Sequence, residues 1–200
     1  MEILRGKAAS LIAAAAFHER LQGYDTLHID LGTGDGRYVQ HSAPTCPNTF
    51  FIGIDACREN LHEVSRRAQA NTLFVIANAQ ALPLELTGLA TQMTINFPWG
   101  SLMEGLLTHN TELLASVAMI ARLDASLELR LNGGALGQAG WSLEEGAYQV
   151  REVLEVNGFK MRSPMIMTAQ TLKSCPTTWA KRLAYGRDPR AMYLSGVRRG

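Results

Sequence analysis

Residues 26–37 read TLHIDLGTGDGR, and this stretch decides the fold. The apolar run Thr26–Leu31 predicts a short strand, and a helix is expected to begin near Arg37. Between them, three glycines stand at alternate positions, Gly32, Gly34 and Gly36. Because glycine accepts positive φ angles, this spacing indicates a tight turn whose backbone can closely approach a ligand. The stretch therefore predicts a strand, a ligand-binding loop and a helix.

Strand-like and helix-like segments alternate along the rest of the chain. Further strands are predicted at Thr49–Asp55, Leu73–Ala77, Thr91–Phe97, Ser126–Leu131, Phe159–Met167 and Met192–Val197. Helices are predicted at Glu59–Ala70, Thr111–Leu123 and Leu143–Val156, and a further helix over Ala8–Phe17. This alternation indicates an α/β fold, with a mostly parallel seven-stranded sheet and helices on both faces. In such sheets, ligands bind beyond the carboxyl ends of the strands.

The chain has 200 residues, of which 46% are apolar, and this size predicts one domain with a substantial core. Its three cysteines are widely spaced and form no CxxC pair, so we expect reduced thiols and no metal site. Basic residues precede the apolar run at 8–17, but Glu2 lies among them, so we expect a helix there rather than a signal peptide. No stretch has the length of a membrane span, and a cytoplasmic protein is expected.

Two ligand classes suit the glycine loop, which are dinucleotides and S-adenosylmethionine. Asp55 ends the second strand, where a carboxylate can accept hydrogen bonds from both hydroxyls of a ribose. Asp30 begins the loop, where it would repel a pyrophosphate and attract the ammonium group of a methionine moiety. The spacing Asp-x-Gly-x-Gly-x-Gly therefore favours S-adenosylmethionine, although a simple turn also explains the glycines.

Two tryptophan segments carry further candidate residues. Asn96–Ser101 (NFPWGS) follows the fourth strand and is similar to the Asn/Asp-Pro-Pro-aromatic motif of amino-methylating enzymes, with Phe97 in place of the first proline. Trp179 opens a basic region, because residues 181–200 hold six of the 19 basic residues and one of the 18 acidic ones. Aromatic and basic side chains together suit stacking on bases and neutralisation of phosphates, although each tryptophan alone also fits a core position.

Five segments together resemble the aminoglycoside-resistance 16S rRNA methyltransferases, which modify N1 of adenine 1408 in the small ribosomal subunit. These segments are LHIDLGTGDGR (27–37), FFIGIDACRENL (50–61), FVIANAQALP (74–83), NFPWGSLMEGLL (96–107) and TWAKRLAYGR (178–187). The resemblance implies a class I, Rossmann-like methyltransferase domain over residues 1–200. It also implies an N-terminal extension over about 1–24 and an inserted linker over about 132–142.

The resemblance assigns roles by position. It implies that S-adenosylmethionine is held by Asp30, Gly32, Gly34, Asp55, Ala79 and Gln80, with Ser101 and Thr177 at its methionine end. It implies that Trp99 and Trp179 sandwich a flipped adenine. It implies that rRNA phosphates are bound by Arg66, Arg67, Lys181, Arg182 and Arg187. The chain departs from its relatives at Gln80, where they often have glutamate, and at 131–150, which contain no lysine or arginine.

The implied function is methyl transfer from S-adenosylmethionine to adenine N1 of 16S rRNA within the 30S subunit, giving aminoglycoside resistance and S-adenosylhomocysteine as product. No metal or membrane is expected to take part, and the protein is expected to be a monomer. Two alternatives stay open at this point. One is an N6-adenine or tRNA guanine methyltransferase, which Asn96 favours. The other is a catalytically weak S-adenosylmethionine-binding, RNA-binding protein, which the reduced basic surface favours.

Overall fold

The computed structural model describes residues 1–186 and 189–200. The strands are β1 (Glu2–Arg5), β2 (Ala8–Leu11), β3 (Thr26–Leu31), β4 (Thr49–Asp55), β5 (Thr72–Ile76), β6 (Ala90–Asn96), β7 (Ala121–Asn132), β8 (Phe159–Met161), β9 (Met165–Ile166) and β10 (Ala191–Arg198). The helices are α1 (Ala14–Leu21), α2 (Arg37–Ser42), α3 (Arg58–Arg66), α4 (Gly100–Leu107), α5 (Thr111–Ile120), α6 (Gly133–Gln138), α7 (Leu143–Val156), α8 (Ala169–Ser174) and α9 (Thr178–Ala184). Within these described ranges, no helix is both long and apolar enough to cross a membrane.

All strands join one sheet, in the order β2-β1-β5-β4-β3-β6-β7-β10-β8, with β9 paired to β10. Strands β5, β4, β3, β6 and β7 run parallel to one another, whereas β10 lies antiparallel between β7 and β8. The predicted α/β class and the mostly parallel seven-stranded sheet are therefore confirmed. The hairpin β1–β2 and the short β9 extend this sheet beyond its seven strands.

Alternate residues of the central strands pack into two separate cores, because successive side chains of a strand point to opposite faces. In β4, Phe50, Ile52 and Ile54 belong to the larger core together with residues of α4, α5 and α7. Phe51 belongs to a smaller core together with Val39 of α2 and residues of α3. The predicted helical layers on both faces of the sheet are therefore present.

The helix predicted over Ala8–Phe17 is wrong in its first half, because Ala8–Leu11 form strand β2. Arg5 pairs with Ala8, which leaves a two-residue turn at Gly6 and Lys7. Gly6 has a φ of +61°, and such a left-handed residue suits a two-residue hairpin turn. Pairing of Ala8–Leu11 with β1, which is itself joined to β5, makes this segment a strand, and the helix begins only at Ala14.

Three other predicted elements differ in their bounds. The helix predicted over Glu59–Ala70 ends at Arg66. The helix predicted over Thr111–Leu123 stops at Ile120, because Ala121 already pairs with Ala90 of β6. The strand predicted over Phe159–Met167 is divided into β8 and β9 around Pro164, which has no backbone N–H to donate to a neighbouring strand. None of these changes moves the edge of the sheet at which the site lies.

Candidate active site

A cavity of about 560 Å³ opens at the carboxyl ends of β3, β4, β5 and β6. Helix α9, from the C-terminal part of the chain, contributes to its wall. The structure brings most of the predicted site residues together there, namely Asp30, Gly32, Gly34, Asp55, Ala79, Gln80, Trp99, Ser101, Thr177, Trp179 and Arg182. A cavity of this volume lies within the range that holds cofactor-sized ligands.

The glycine loop after β3 has a shape that only glycine allows at two positions. Gly32 has a φ of +69°, and a Cβ atom there would lie 2.6 Å from Leu102. Gly36 has a φ of +66°, and its Cβ atom would lie 2.6 Å from Val64. Side chains at these positions would therefore meet both strained backbone and occupied space. The loop consequently keeps its backbone close to the cavity.

The carboxylate of Asp30 is fully buried and connects several side chains of the site by hydrogen bonds. Its Oδ1 accepts hydrogen bonds from Thr94 Oγ1 at 2.6 Å and Asn96 Nδ2 at 2.8 Å, and its Oδ2 accepts one from Thr33 Oγ1 at 2.5 Å. Burial raises the pKa of Asp30, while these hydrogen bonds and the charge of Arg130 oppose that rise. Three of the four lone-pair positions are used, which leaves one on Oδ2 for a ligand.

His28 lies two residues before Asp30 in β3 and is a structural residue. Its Nε2 lies 3.1 Å from Thr94 Oγ1, its Nδ1 lies 3.2 Å from the Gln92 side chain, and its ring stacks on Phe51. Thr94 donates its hydroxyl hydrogen to Asp30, so its oxygen accepts from the His28 N–H. Burial lowers the pKa of His28 from 6.5 to about 4, so the ring is neutral in the folded protein at pH 7.

We expect His28 to make the protein sensitive to acid. The unfolded chain binds a proton at pH 6.5 and the folded chain only near pH 4, so its stabilising contribution is present above pH 6.5 and is lost as the pH falls towards 4. The loss in the free energy of unfolding is about 3 kcal/mol, at 1.36 kcal/mol for each pKa unit. Urea unfolding between pH 7 and 4 tests this. His28→Gln should have a shallower pH dependence, and the exposed His41→Gln should match the wild type.

Asp55 ends β4 and orients the glycine loop. Its Oδ2 accepts a hydrogen bond from the Gly34 amide at 2.7 Å. Its Oδ1 accepts hydrogen bonds from the Cys57 amide at 2.8 Å and from Asn60 Nδ2 at 3.4 Å. The carboxylate is therefore already oriented by the protein before a ribose could bind, and Asn60, which also lines the cavity, was not predicted from the sequence.

The loop after β5 is fixed at both sides of Gln80. The backbone N–H of Gln80 donates to Asn78 Oδ1 at 2.9 Å, and the backbone carbonyl of Gln80 accepts from Ser116 Oγ at 3.0 Å. The side chains of Ala79 and Gln80 remain on the cavity wall. Their predicted contact with an adenine ring is compatible with this position and stays a prediction.

The backbone of Phe97 explains why the loop after β6 lacks the first proline of the amino-methylating motif. Phe97 has a φ of +51° and donates its N–H to the Arg130 carbonyl at 2.7 Å. Proline has a φ near −65° and no N–H, so it allows neither feature. The preceding Asn96 donates its amide to Asp30, and its Oδ1 accepts from Arg130 Nη1 at 2.8 Å. The side-chain amide of Asn96 therefore links Asp30 to Arg130 within the site.

Helices α8 and α9 form a flap with a small core of its own. Phe97 lies in this core, which otherwise consists of Met167, Leu172, Cys175, Ala180 and Ala191. Thr177 caps α9, because its Oγ1 accepts the Ala180 amide at 2.9 Å. Phe97 thus packs the Trp99 loop directly against the flap that carries Trp179.

Trp99 and Trp179 both line the cavity and lie directly beside each other. Their ring centroids are 5.1 Å apart and their planes are 29° apart, so the two rings stack on each other. A base between them would need a centroid separation of about 7 Å, which is twice the van der Waals spacing of about 3.5 Å between carbon atoms. The two rings are therefore arranged like a clamp, but their separation is about 2 Å too small to hold a base between them.

The sequence of the chain matches, over residues 2–198, the model of the NpmA family, described as 16S rRNA (adenine(1408)-N(1))-methyltransferase. The chain belongs to this family. An Escherichia coli 16S rRNA (adenine(1408)-N(1))-methyltransferase is 34% identical, with 98% of each chain covered. One from Streptoalloteichus hindustanus is 29% identical, with 92% of each covered.

Solved structures agree with this family membership. The antibiotic-resistance methyltransferase Kmr is 32% identical to the chain, and the match covers 100% of this chain and 99% of Kmr, with a TM-score of 0.84. The 16S rRNA methyltransferase KamB is 25% identical over 100% of both chains, with a TM-score of 0.90. The family that the five sequence segments indicated is confirmed.

The predicted rRNA-binding residues of this 16S rRNA methyltransferase family member lie in two places. Lys181 and Arg182 are exposed on α9, and the Arg182 guanidinium lies 5.3 Å from the centre of the Trp179 ring. Arg66 and Arg67 are exposed at the end of α3 and are not among the cavity-lining residues. Arg187 lies outside the described residues. Whether these cations bind rRNA stays a prediction.

Sequence reasoning missed Arg130, which supports the site from β7. Its guanidinium donates to Asn96 Oδ1 and to Glu128 Oε2, both at 2.8 Å, and lies 5.4 Å from the Tyr193 ring centre. A polar residue on an alternating strand usually indicates a solvent-facing position. The spacing within β7 gave no sign that β6 would place Asn96 beside it.

Proposed function

We propose that this chain transfers the methyl group of S-adenosylmethionine to N1 of adenine 1408 in 16S rRNA of the 30S subunit, and so confers aminoglycoside resistance. The observation that carries the proposal is the Trp99–Trp179 pair, which stands beside the cavity of the glycine loop in a chain of this family. Aromatic pairs of this kind suit an extruded base, which stacks between them.

The residues around the cavity suit S-adenosylmethionine. The open lone pair of Asp30 suits an ammonium group, and Asp55 Oδ2 suits a ribose hydroxyl. Ala79 and Gln80 line the cavity where we expect the adenine ring of S-adenosylmethionine. Ser101 and Thr177 line it where we expect the methionine end. When bound, S-adenosylmethionine supplies an electrophilic methyl group on a sulfonium. Among the described residues there is no cluster of potential metal ligands, and the proposed chemistry requires none.

The side chains of the site act by orientation. N1 of neutral adenine carries an in-plane lone pair, so it needs no general base before it attacks a methyl group. Trp99 and Trp179 hold the ring plane, and thereby aim this lone pair into the cavity. Fixing two reactants in line accelerates a displacement strongly without acid or base catalysis. This suits a site in which His28 is buried and bound to other protein groups.

The geometry of Asn96 argues against the N6-adenine alternative. In amino-methylating enzymes this side chain accepts a hydrogen bond from the exocyclic amine, whereas here its nitrogen donates to Asp30 and an amine would have to share its oxygen with the Arg130 guanidinium. Mass spectrometry of digested rRNA tests the choice, and we expect 1-methyladenosine. Recovery of 6-methyladenosine instead would refute the proposed target atom.

Methyl transfer itself separates an enzyme from a non-catalytic RNA-binding protein. We expect purified protein with radiolabelled S-adenosylmethionine to methylate 30S subunits, and to methylate naked 16S rRNA more weakly. Binding to 30S subunits without incorporation of label would favour the catalytically weak protein. Because the proposed substrate is a ribosomal particle, we expect the protein to act in the cytoplasm. We also expect it to be a monomer.

The exposed cations of α9 are expected to bind phosphates of the 30S subunit. Lys181→Gln and Arg182→Gln should each weaken binding and lower the slope of log K against log salt by about 1, because each lost phosphate contact releases about one counterion fewer. Fluorescence anisotropy with labelled 30S subunits at several salt concentrations measures both quantities. Arg122→Gln is the matched control, because Arg122 is exposed near the amino end of β7, away from the cavity. Unchanged slopes for Lys181→Gln and Arg182→Gln would remove α9 from the rRNA interface.

A further inference from the structure

A hydrogen bond joins two parts of the cavity wall that are 143 residues apart in sequence. Thr178 Oγ1, in the first turn of α9, donates to Asp35 Oδ2 at 2.5 Å. Asp35 lies in the glycine loop between Gly34 and Gly36, and both Asp35 and Thr178 line the cavity. The flap and the cofactor loop are thus directly connected across the site.

The glycine loop holds the Asp35 carboxylate ready for this bond. Its Oδ1 accepts from the Arg37 amide at 3.3 Å, and its Oδ2 lies 3.4 Å from Arg37 Nε. Its side chain is 47% exposed, so water also reaches this carboxylate. A hydroxyl that donates to an ionised acceptor makes a shorter and stronger bond than one between neutral groups.

The bond ties the flap to the glycine loop at Thr178, which is not itself a member of the flap's core. That core contains Phe97 and residues of α8 and α9, and none of its members belongs to the glycine loop. Thr178 stands between Thr177, which lines the cavity, and Trp179, which stacks on Trp99. A shift of Thr178 relative to the glycine loop would therefore shift both neighbours, and with them one plate of the base clamp.

We infer that Asp35 and Thr178 form a positioning pair, in which the glycine loop sets the placement of Trp179 over the cofactor cavity. The loop that binds the cofactor thereby controls the alignment of the plate that binds the base. Neither residue needs to touch the adenine. The catalytic part of this inference rests on the proposed function, whereas the placement of Trp179 in the free protein does not.

Isosteric variants test the pair. Thr178→Val removes the hydroxyl but keeps the shape, Thr178→Ser keeps the hydroxyl, and Asp35→Ala removes the acceptor. For Thr178→Val and Asp35→Ala we expect kcat on 30S subunits to fall about tenfold, the effect of a lost charge-assisted hydrogen bond. KM for the subunit should stay within about twofold, because a misaligned clamp affects orientation after docking. Thr178→Ser should retain most of the wild-type kcat, and the double variant Asp35→Ala, Thr178→Val should be no slower than either single variant.

A second measurement is independent of methylation. In a Trp141→Phe background, Trp99 and Trp179 are the only tryptophans, so acrylamide quenching of selectively excited tryptophan fluorescence reports how tightly they are stacked in the free protein. We expect Thr178→Val to increase quenching and Thr178→Ser to restore it, with circular dichroism unchanged. Wild-type quenching and kcat in Thr178→Val would overturn the inference, and so would additive losses in the double variant. Altered quenching in a protein that methylates no rRNA would instead refute the proposed function and leave the positioning of Trp179 standing.

Discussion

Replacement of either clamp tryptophan by alanine is expected to reduce methyl transfer to 30S subunits by at least about 100-fold, while binding of S-adenosylmethionine persists. Loss of one stacking face removes about 1–3 kcal/mol of base binding. The base then also loses its alignment with the methyl donor, and a displacement of about 1 Å can itself cost about 100-fold in rate. Trp179→Ala is the cleaner variant, because Trp179 is 36% exposed and its loss leaves little unfilled space.

The measurements are single-turnover methylation of 30S subunits and calorimetric titration with S-adenosylhomocysteine. Trp99→Phe and Trp179→Phe keep an aromatic face and should retain part of the activity. Trp141→Phe is the matched control, because Trp141 packs against the main core and does not line the cavity. Full activity of Trp99→Ala or Trp179→Ala would refute the clamp.

The closed distance of the two rings adds a condition on substrate entry. The centroids lie 5.1 Å apart, whereas a sandwiched base needs about 7 Å. Trp179 is the more exposed of the two rings, whereas Trp99 packs against the main core. We therefore expect the Trp179 ring to move outward by about 2 Å when the adenine enters, because two carbon contacts of about 3.5 Å each set the required separation.

The second large effect is expected at Asp30, where asparagine and alanine should behave differently. Asp30→Asn should weaken S-adenosylmethionine binding by at least about tenfold, because the negative charge opposite the ammonium group is lost. It should not lower the melting temperature. Burial raises the folded-state pKa of Asp30, so its stabilising contribution exists below the unfolded pKa and is lost as the pH rises through the folded pKa. Burial thus disfavours the charged form of Asp30 in the folded protein, and a neutral amide avoids this cost.

Asp30→Ala should both unfold more easily and bind the cofactor poorly. It leaves the donors of Thr33, Thr94 and Asn96 without their acceptor, at about 1–3 kcal/mol for each buried group that stays unpaired. Thermal unfolding and calorimetric titration separate the two effects. Asp25→Asn is the matched control, because Asp25 is exposed just before β3, at the end away from the cavity. Wild-type affinity in Asp30→Asn would show that the ammonium group binds elsewhere.

The central part of the fold was predictable because its signals are local. Thr26–Leu31, Thr49–Asp55 and Leu143–Val156 have the bounds that the sequence predicted, since each is an apolar or amphipathic run ended by a glycine, an acid or an Asn-Gly pair. The hairpin at Ala8–Leu11 was not predictable in this way. It depends on the turn at Gly6 and on pairing with β5, a strand some 70 residues away.

The site was predictable as a set of residues but not as a network. The glycine loop and Trp99 follow strands, so the topology alone places them at one edge of the sheet. The contacts of Asn96 with Asp30 and Arg130 depend on the register between β3, β6 and β7. The bond between Thr178 and Asp35 depends on how the flap packs. Neither follows from spacing along the chain.

The most direct measurement of the proposed activity is reverse transcription across position 1408 of 16S rRNA from cells that express this protein. A methyl group on N1 blocks Watson–Crick pairing, so it stops reverse transcriptase at that nucleotide. We expect a strong stop at adenine 1408 with the wild type, a much weaker stop with Trp179→Ala, and none in cells without the protein. Uninterrupted extension through 1408 with the wild type, or a stop at a different nucleotide, would contradict the proposed function.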